Sequence, residues 1–532
     1  TAQGGEKPGN GVLSLLRPWA CVSWPGPTAL VPFDGDSRGG AIAARQTRVD
    51  PFAAGTKTMP SAKTAVRLVC SMMLASVGAG HAQPFVPSLG KGVSPTQAPL
   101  LVSINVFGSA AAGPCTNPSF ALTQPRWLAF TCLSDDVVPG DTNGVADVLL
   151  IDRASGVIER VSLDSTGAEA GWNGSGSGYP SDDGRYVVFE SGGYLHPDVV
   201  PPPPNSPRNF FLRDRQLGLT TLESRDSAGS ARPRSFLLRS AVPAQSLALL
   251  QTNAHLLEGL GGSGFDPPNV YVRNWSSSAV ELISVSTSGN RPNAGAYIGS
   301  LSATGRFVAF ASPSTDLVAG PPTNGFNLFL RDRLLQTTEL LTRPFAGGTP
   351  TEPMTLDVFP PALSADGRYV AFASSSRELL PVDPSVVPLA QQVYVLDRQL
   401  DRFERVSVTA DGAFGNHYSG TVDLSDDGRW LAFYSQASNL PAGGPAIYVV
   451  DRWGGQWLEV TAALGPTLFG TVNLDLASDG STIAFSWAAS RPELPGFGRL
   501  NIYTVDLQGL PPAPARDVAT LDRTATLLLL AL

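Results

Sequence analysis

The chain has 532 residues, of which 42% are hydrophobic and only 15% charged, with 55 Gly and 46 Pro. So much apolar material excludes a disordered polyelectrolyte, the glycines follow no collagen period, and the Glu/Lys heptads of a coiled coil are missing. Residues 1–82 hold 8 of the 37 basic and 4 of the 45 acidic groups, leaving 29 against 41, a net of −12, in the rest; a phosphate-binding surface needs a basic field, so no nucleic-acid partner is expected.

In chain order, residues 1–58 show no steady period and none of the repeats found later, and they read as an upstream extension foreign to the mature protein. Met59 then opens a secretory leader over 59–82. Lys63 and Arg67 supply the positive end, 68–80 (LVCSMMLASVGAG) the short apolar stretch, and Gly80-His81-Ala82 the small residues before a cleavage at Gln83. The apolar stretch is too short to span a bilayer. A periplasmic, extracellular or cell-surface bacterial protein is therefore expected, with 83–99 as a linker. Cys21 and Cys70 fall in the discounted segments, which leaves Cys115 and Cys132. A turn at Gln124-Pro125 folds 120–122 back on 127–130 and brings the two thiols to one end of a hairpin. There they form either a disulfide, worth about 3 kcal/mol, or two buried thiols.

Internal repetition dominates residues 100–507. The clearest unit is LSADGRYVAFASS at 363–375; SDDGRYVVFES (181–191), LSATGRFVAFASP (301–313), LSDDGRWLAFYSQ (424–436) and ASDGSTIAFSW (477–487) match it, TQPRWLAFTC (123–132) more loosely and VPAQSLALLQT (242–252) least. With Phe130, Phe189, Leu249, Phe310, Phe372, Phe433 and Phe485 as markers, the intervals are 59, 60, 61, 62, 61 and 52 residues. In each unit an Asp-Gly turn enters a strand of alternating pattern. A long loop follows, then a second apolar strand ending in Asp-Arg, as in 148–153, 210–215, 328–333, 393–398 and 447–452, then a short turn and a third strand. With the short strand before Asp-Gly, that makes four antiparallel strands per unit. One such sheet cannot bury both faces, but a ring of them can. The expected fold is all-β: a seven-bladed β-propeller in which an N-terminal strand near 100–105 completes the last blade, whose own sequence stops at 503–507. That closure removes two open edges.

These motifs, S-x-D-G-R-x-(V/L)-A-F and (V/L)-x-D-R, resemble the TolB-type propeller repeats of bacterial envelope proteins over about 400 residues. The resemblance implies the propeller fold and an envelope setting. TolB's additional α/β domain is not found, and its function is not carried over. The third unit departs from the pattern, with Ala244-Gln245 for Asp-Gly and Asn274-Trp275 for Asp-Arg. Past the repeats, 508–519 is a Pro/Ala-rich linker. Residues 520–532 resemble the start of a C-terminal sorting tail, on Thr520, Leu521, Asp522 and Arg523, with Ala519 where Pro is usual; about eight apolar residues follow, short of a span. A membrane tether through a longer tail is expected.

Alternating strand direction sorts the connections. The regular Asp-Gly and Asp-Arg turns share one face and read as architecture, with Asp accepting turn amides and Arg reaching the adjacent blade. The variable loops share the other face and read as a binding surface. Trp172, Tyr297, His417, Tyr418 and Phe469 lie 13–17 residues before their markers, so they ring one channel mouth as a stacking surface for a peptide or glycan, or else pin the inter-blade loops. His196 precedes a Pro-rich loop over 197–207. Asp141, Asn143 and Asp147 have the spacing of a calcium loop without its distal Glu, and an Asn-Gly turn explains them equally. No G-x-S-x-G, HExxH or Walker pattern occurs, and His196, His255 and His417 show no ligand spacing. No catalytic residue, metal ligand or cofactor is assigned. The leading reading is a monomeric envelope module that binds a protein or glycan; the alternative is a propeller hydrolase or lyase with a divalent metal in the channel, which clustered channel carboxylates would favour.

Overall fold

The structure, a computed structural model, describes residues 98–507 apart from 172, 200–207, 232–235, 255, 258–266, 321–324, 346–359, 381–389, 468–471 and 493–496. The upstream extension, the leader, most of the first linker, the C-terminal linker and the tail lie outside the described residues. The chain divides into two compact units, 1–81 and 82–532, and all described residues belong to the second.

The described chain forms seven four-stranded antiparallel sheets. Each is a blade, and its strands are named a to d from the channel outwards. In blade 1 they are Cys115–Phe120, Trp127–Cys132, Asp147–Asp152 and Val157–Arg160. The inner a strands of blades 2–7 are Ser175–Pro180, Phe236–Val242, Tyr297–Leu301, Ala362–Leu363, Ser419–Leu424 and Leu474–Leu476. Seven hydrophobic clusters lie between successive blades, and one of them joins Cys115, Phe120 and Phe130 of blade 1 to Ala477, Ala484 and Ile502 of blade 7. The array is therefore a closed ring. Strands b and c have neighbours on both faces, which explains their unbroken burial where simple alternation was expected: all six residues of Phe307–Ser312 and of Trp430–Ser435 are buried.

Closure uses the expected N-terminal strand in a short form. Leu100 and Leu101 pair with Thr504 and Tyr503, the Val102 amide donates to the Ile502 carbonyl at 2.8 Å, and Ser103 Oγ donates to Asn501 Oδ1 at 2.8 Å. One marker needs correction. Leu250 pairs with Tyr271 as Phe189 pairs with Phe211, so Leu250 and not Leu249 holds that place in blade 3. Its divergent sequence hid a one-residue offset.

The repeat motifs form one interlocking joint. The Arg of D-G-R makes a two-pronged ion pair with the Asp of D-R in its own blade, as in Arg126–Asp152 at 2.7 and 2.7 Å and Arg429–Asp451 at 3.0 and 2.7 Å. That Asp also accepts turn amides, such as Trp453 and Gly454 on Asp451. The Arg of D-R crosses to a Glu of the preceding blade: Arg215 to Glu159, Arg333 to Glu281, Arg398 to Glu339 and Arg452 to Glu404. Between the two arginines lies the aromatic that opens strand b. Tyr369 has Arg368 at 4.8 Å and Arg452 at 4.6 Å from its ring centre, a doubled cation–π contact. The D-G glycine of the next blade closes on the same ring. Gly428 has φ +74°, and a Cβ there would sit 2.2 Å from Tyr369 Cδ2, so the position needs glycine both for conformation and for space.

Candidate functional site

The a–b and c–d turns define the turn face, and the b–c loops and inter-blade connections the loop face. On the turn face the regular turns are engaged in the joint just described, as the sequence suggests for the Asp-Arg pairs. In each of four connections on the loop face a small turn follows strand d. An Asn or Asp accepts amides two and four residues on, as Asp164 does from Thr166 and Ala168, both at 2.8 Å, and Asn105 from Phe107 and Ser109; Asp226 repeats the pattern, and Thr409 Oγ1 accepts the Ala413 amide in the same place. The side-chain acceptor replaces a backbone partner and fixes the tip.

Trp172, Phe469 and His255 lie outside the described residues. Tyr297 and Tyr418 are half-buried at or beside the start of their a strands, and His417 is exposed. Tyr297 meets Phe326 edge-on at 5.6 Å; Tyr418 packs on the cluster between blades 6 and 7 and beside Tyr434 at 6.3 Å. These tyrosines sit at the loop face but not among the residues lining the channel cavity. Sequence reasoning missed a different set. The exposed Phe and Tyr side chains among the described residues are Phe107 (84%), Tyr194, Phe326, Phe345 and Phe497, and every one lies in a b–c loop or an inter-blade connection of the loop face. The most exposed leucines of the c–d turns, Leu217, Leu334, Leu335 and Leu400, lie on the turn face. Cys115 and Cys132 are opposed in register, and their sulfurs are bonded.

The loop at Asp141–Asp147 faces a cation supplied by the protein itself. The Arg160 guanidinium stands 3.9 Å from Asp141 and 3.8 Å from Asp147 and is paired with Glu169. Asn143 turns its Nδ2 to Asp147 Oδ2 at 2.9 Å and its Oδ1 to the Val145 amide. A donor therefore points where calcium would need a lone pair, and these residues as arranged do not fit the ion. Burial, opposed by Arg160, pushes Asp141 up to about 6.

The channel holds a cavity of about 400 Å³ that extends from the middle of the a strands to the a–b turns of the turn face. Blades 1, 2 and 6 place a bulge residue of positive φ in this lining, Asn117, Ser177 and Thr421; in blade 3 the bulge falls at Arg239. Bulges re-aim side chains in this way. Asp423 and Asp475, on adjacent blades, also line the cavity. Each accepts the backbone amide of the next blade: Leu476 to Asp423 Oδ2 at 2.6 Å, and Phe120 to Asp475 Oδ2 at 2.7 Å. They stitch blade 6 to 7 and 7 to 1. Blades 1 to 4 are joined instead from strand b, through Thr131, Glu190 and Gln251 to the amides of Ser177, Leu238 and Ile298. Burial raises Asp423 to about 7; burial and the neighbouring Asp423 raise Asp475 well above the usual range. The carboxylates expected to favour a metal enzyme are thus present but tied to backbone. Among the described residues no three His, Cys, Asp or Glu side chains converge as a metal site.

No protein-family model matches the chain, and no curated protein matches it in sequence. Several solved structures are similar to it at low identity. An oligogalacturonate lyase in complex with manganese is 12% identical over 79% of this chain and 98% of that one, with a TM-score of 0.45. An oligogalacturonate lyase from Vibrio parahaemolyticus is 12% identical over 78% and 98%, at 0.46, and TolB from Acinetobacter baumannii 13% identical over 74% and 79%, at 0.34. At these identities and scores nothing beyond a general likeness follows; that the chain is a seven-bladed propeller rests on its own seven sheets.

Proposed function

We propose that this propeller is a secreted or envelope-associated binding module that takes a glycan or a protein on its loop face. The observation that carries the reading is the sorting of exposed aromatics: Phe107, Tyr194, Phe326, Phe345 and Phe497 all stand on the face of variable loops, while the turn face is engaged in structural ion pairs. Aromatic faces stack on sugar rings and on peptide side chains. The leader pattern at 59–82 and the Cys115–Cys132 bond support an oxidising compartment.

Cosedimentation of the purified full chain with isolated bacterial cell-wall glycan tests this. A Phe107→Ser/Phe326→Ser/Phe345→Ser variant should lose binding, while Leu217→Ser/Leu334→Ser/Leu400→Ser on the turn face should keep it. Equal retention by both variants would sink the proposal.

A further inference from the structure

Blade 3 lacks both repeat motifs, yet it carries the long cation of the channel. The bulge between Leu238 and Ser240 turns Arg239 into the cavity lining. Among the described residues its guanidinium makes one hydrogen bond, from Nε to Gln251 Oε1 at 3.0 Å. Glu190 is within electrostatic range but is already bound to Arg208 at 2.7 Å and to the Leu238 amide at 3.2 Å. Arg239 is therefore a half-buried cation whose near partner is a neutral amide, which leaves it short of an anion.

In a ring of seven, blade 3 stands opposite the junction of blades 6 and 7. That junction carries Asp423 and Asp475, and beside them Thr421, only 6% exposed, whose Oγ1 has no partner among the described residues. The cavity is thus polarised, with a cation on one wall and carboxyls and an unsatisfied hydroxyl on the other. Blades 1 and 2, between those walls on one side, add the polar Asn117, Ser119 and Ser177 to the lining. A simple anion would meet Asp426 and Ser478 at the turn-face mouth and gain nothing from the acid wall; a simple cation would meet Arg239. A molecule carrying both charges answers both walls, and about 400 Å³ is room for a small ligand.

We propose that the channel binds a short peptide as its zwitterion, with the C-terminal carboxylate on Arg239 and the N-terminal ammonium on the Asp423–Asp475 wall. This site is separate from the loop face and does not rest on the reading given above. An ammonium set against Asp423 and Asp475 favours their ionised forms against the burial that raises them, and charge-assisted hydrogen bonds are the strong ones in such a setting, so blocking either end of the ligand should cost at least about tenfold in affinity.

Isothermal titration of the full chain with trialanine, N-acetyl-trialanine and trialaninamide tests both contacts on the unaltered protein. Trialanine should bind saturably, and each blocked form at least about tenfold more weakly. Arg239→Gln should treat trialanine and trialaninamide alike. Asp475→Asn, which keeps an acceptor for the Phe120 amide, should treat trialanine and its N-acetyl form alike. Arg239→Lys, which keeps the charge, should preserve the preference for the free carboxylate. Circular dichroism melts establish that each variant is folded. The proposal is overturned if trialanine shows no saturable binding, if the blocked forms bind as well, or if folded Arg239→Gln still discriminates against the amide.

Discussion

Removing Arg452 should destabilise the ring far more than removing Arg215, although the two residues hold the same motif position. Arg452 reaches Glu404 through Nε at 3.2 Å and Nη2 at 2.8 Å, donates to the Gly428 carbonyl, and covers the Tyr369 ring at 4.6 Å. Its side chain is 5% exposed and that of Glu404 11%. Arg215 makes the same set, to Glu159, the Gly184 carbonyl and the Trp127 ring at 4.8 Å, but the pair is 22% and 44% exposed. Breaking a buried pair strands the remaining charge and costs about 4 kcal/mol. Glu404 already has one oxygen without a partner among the described residues, so nothing there takes over. At the wetter joint, water re-solvates Glu159 and the loss is about 1 kcal/mol. Urea unfolding of Arg452→Ala and Arg215→Ala, followed by tryptophan fluorescence with slopes compared, reads the difference directly. Equal midpoint shifts would refute the reasoning, because burial would then not set the strength of the joint.

Four further outcomes follow from the same geometry. Gly428→Ala forces a Cβ against Tyr369 at a positive φ and should cost more than about 2 kcal/mol, whereas Gly443→Ala, with open space around it, should cost less than half as much in the same urea titration. Folding raises the Asp423 pKa from 3.8 to about 7, so the stability from its protonated form is present below the unfolded value and lost as pH rises through about 7. Asp423→Asn gives up one of the two oxygens that accept the Leu424 and Leu476 amides, a loss present at every pH; on top of it, the stability of the variant relative to the native protein should rise by up to about 4 kcal/mol between about pH 4 and pH 8, less where channel water screens the charge, as read by urea titrations at the two pH values. In the opposite sense, Arg126, Arg185 and Arg306 hold Asp152, Asp214 and Asp332 below the usual carboxylate range. That contribution is present above about pH 4 and is lost as pH falls further, so acid should loosen the turn face, seen as faster amide exchange there first. Reducing the Cys115–Cys132 bond, which closes a separation of 17 residues, should lower stability by about 3 kcal/mol; an unchanged midpoint in dithiothreitol would count against it.

The ring was legible because its joint is written in most of the repeats. Asp, Gly, two arginines and an aromatic must recur together if each blade is to grip the last, and that recurrence gave the blade count and the latch. The channel was not legible in the same way. Its charged residues lie in the a strands, which share no motif: CTNPSF, SGSGYP, FLLRSAV and SGTVDL have only their position in common. Bulges then shift which side chain faces the lumen. One signal was available: counting two residues back from the first residue of each S-x-D-G turn lands on Tyr179, Ser300, Ala362, Asp423 and, with Ala477 in place of Ser, Asp475. Those positions line the cavity. The loop-face aromatics follow no such rule, because nothing in the fold requires them where they are. Blade 3 illustrates the trade in one place: it has neither Asp-Gly nor Asp-Arg, and among the described residues it sets the long cation at the bulge.

The two-residue latch has a mechanical corollary. Leu100 pairs with Thr504 in antiparallel register, so the chain before it runs towards Asp506, and Leu507 departs from the same corner. The two described ends, residues 98–99 and 507, therefore share one side of the ring, like two cords at a single grommet. A cargo or mooring joined directly at either of these ends would start beneath the Asp-Gly rim, on the side away from the variable loops.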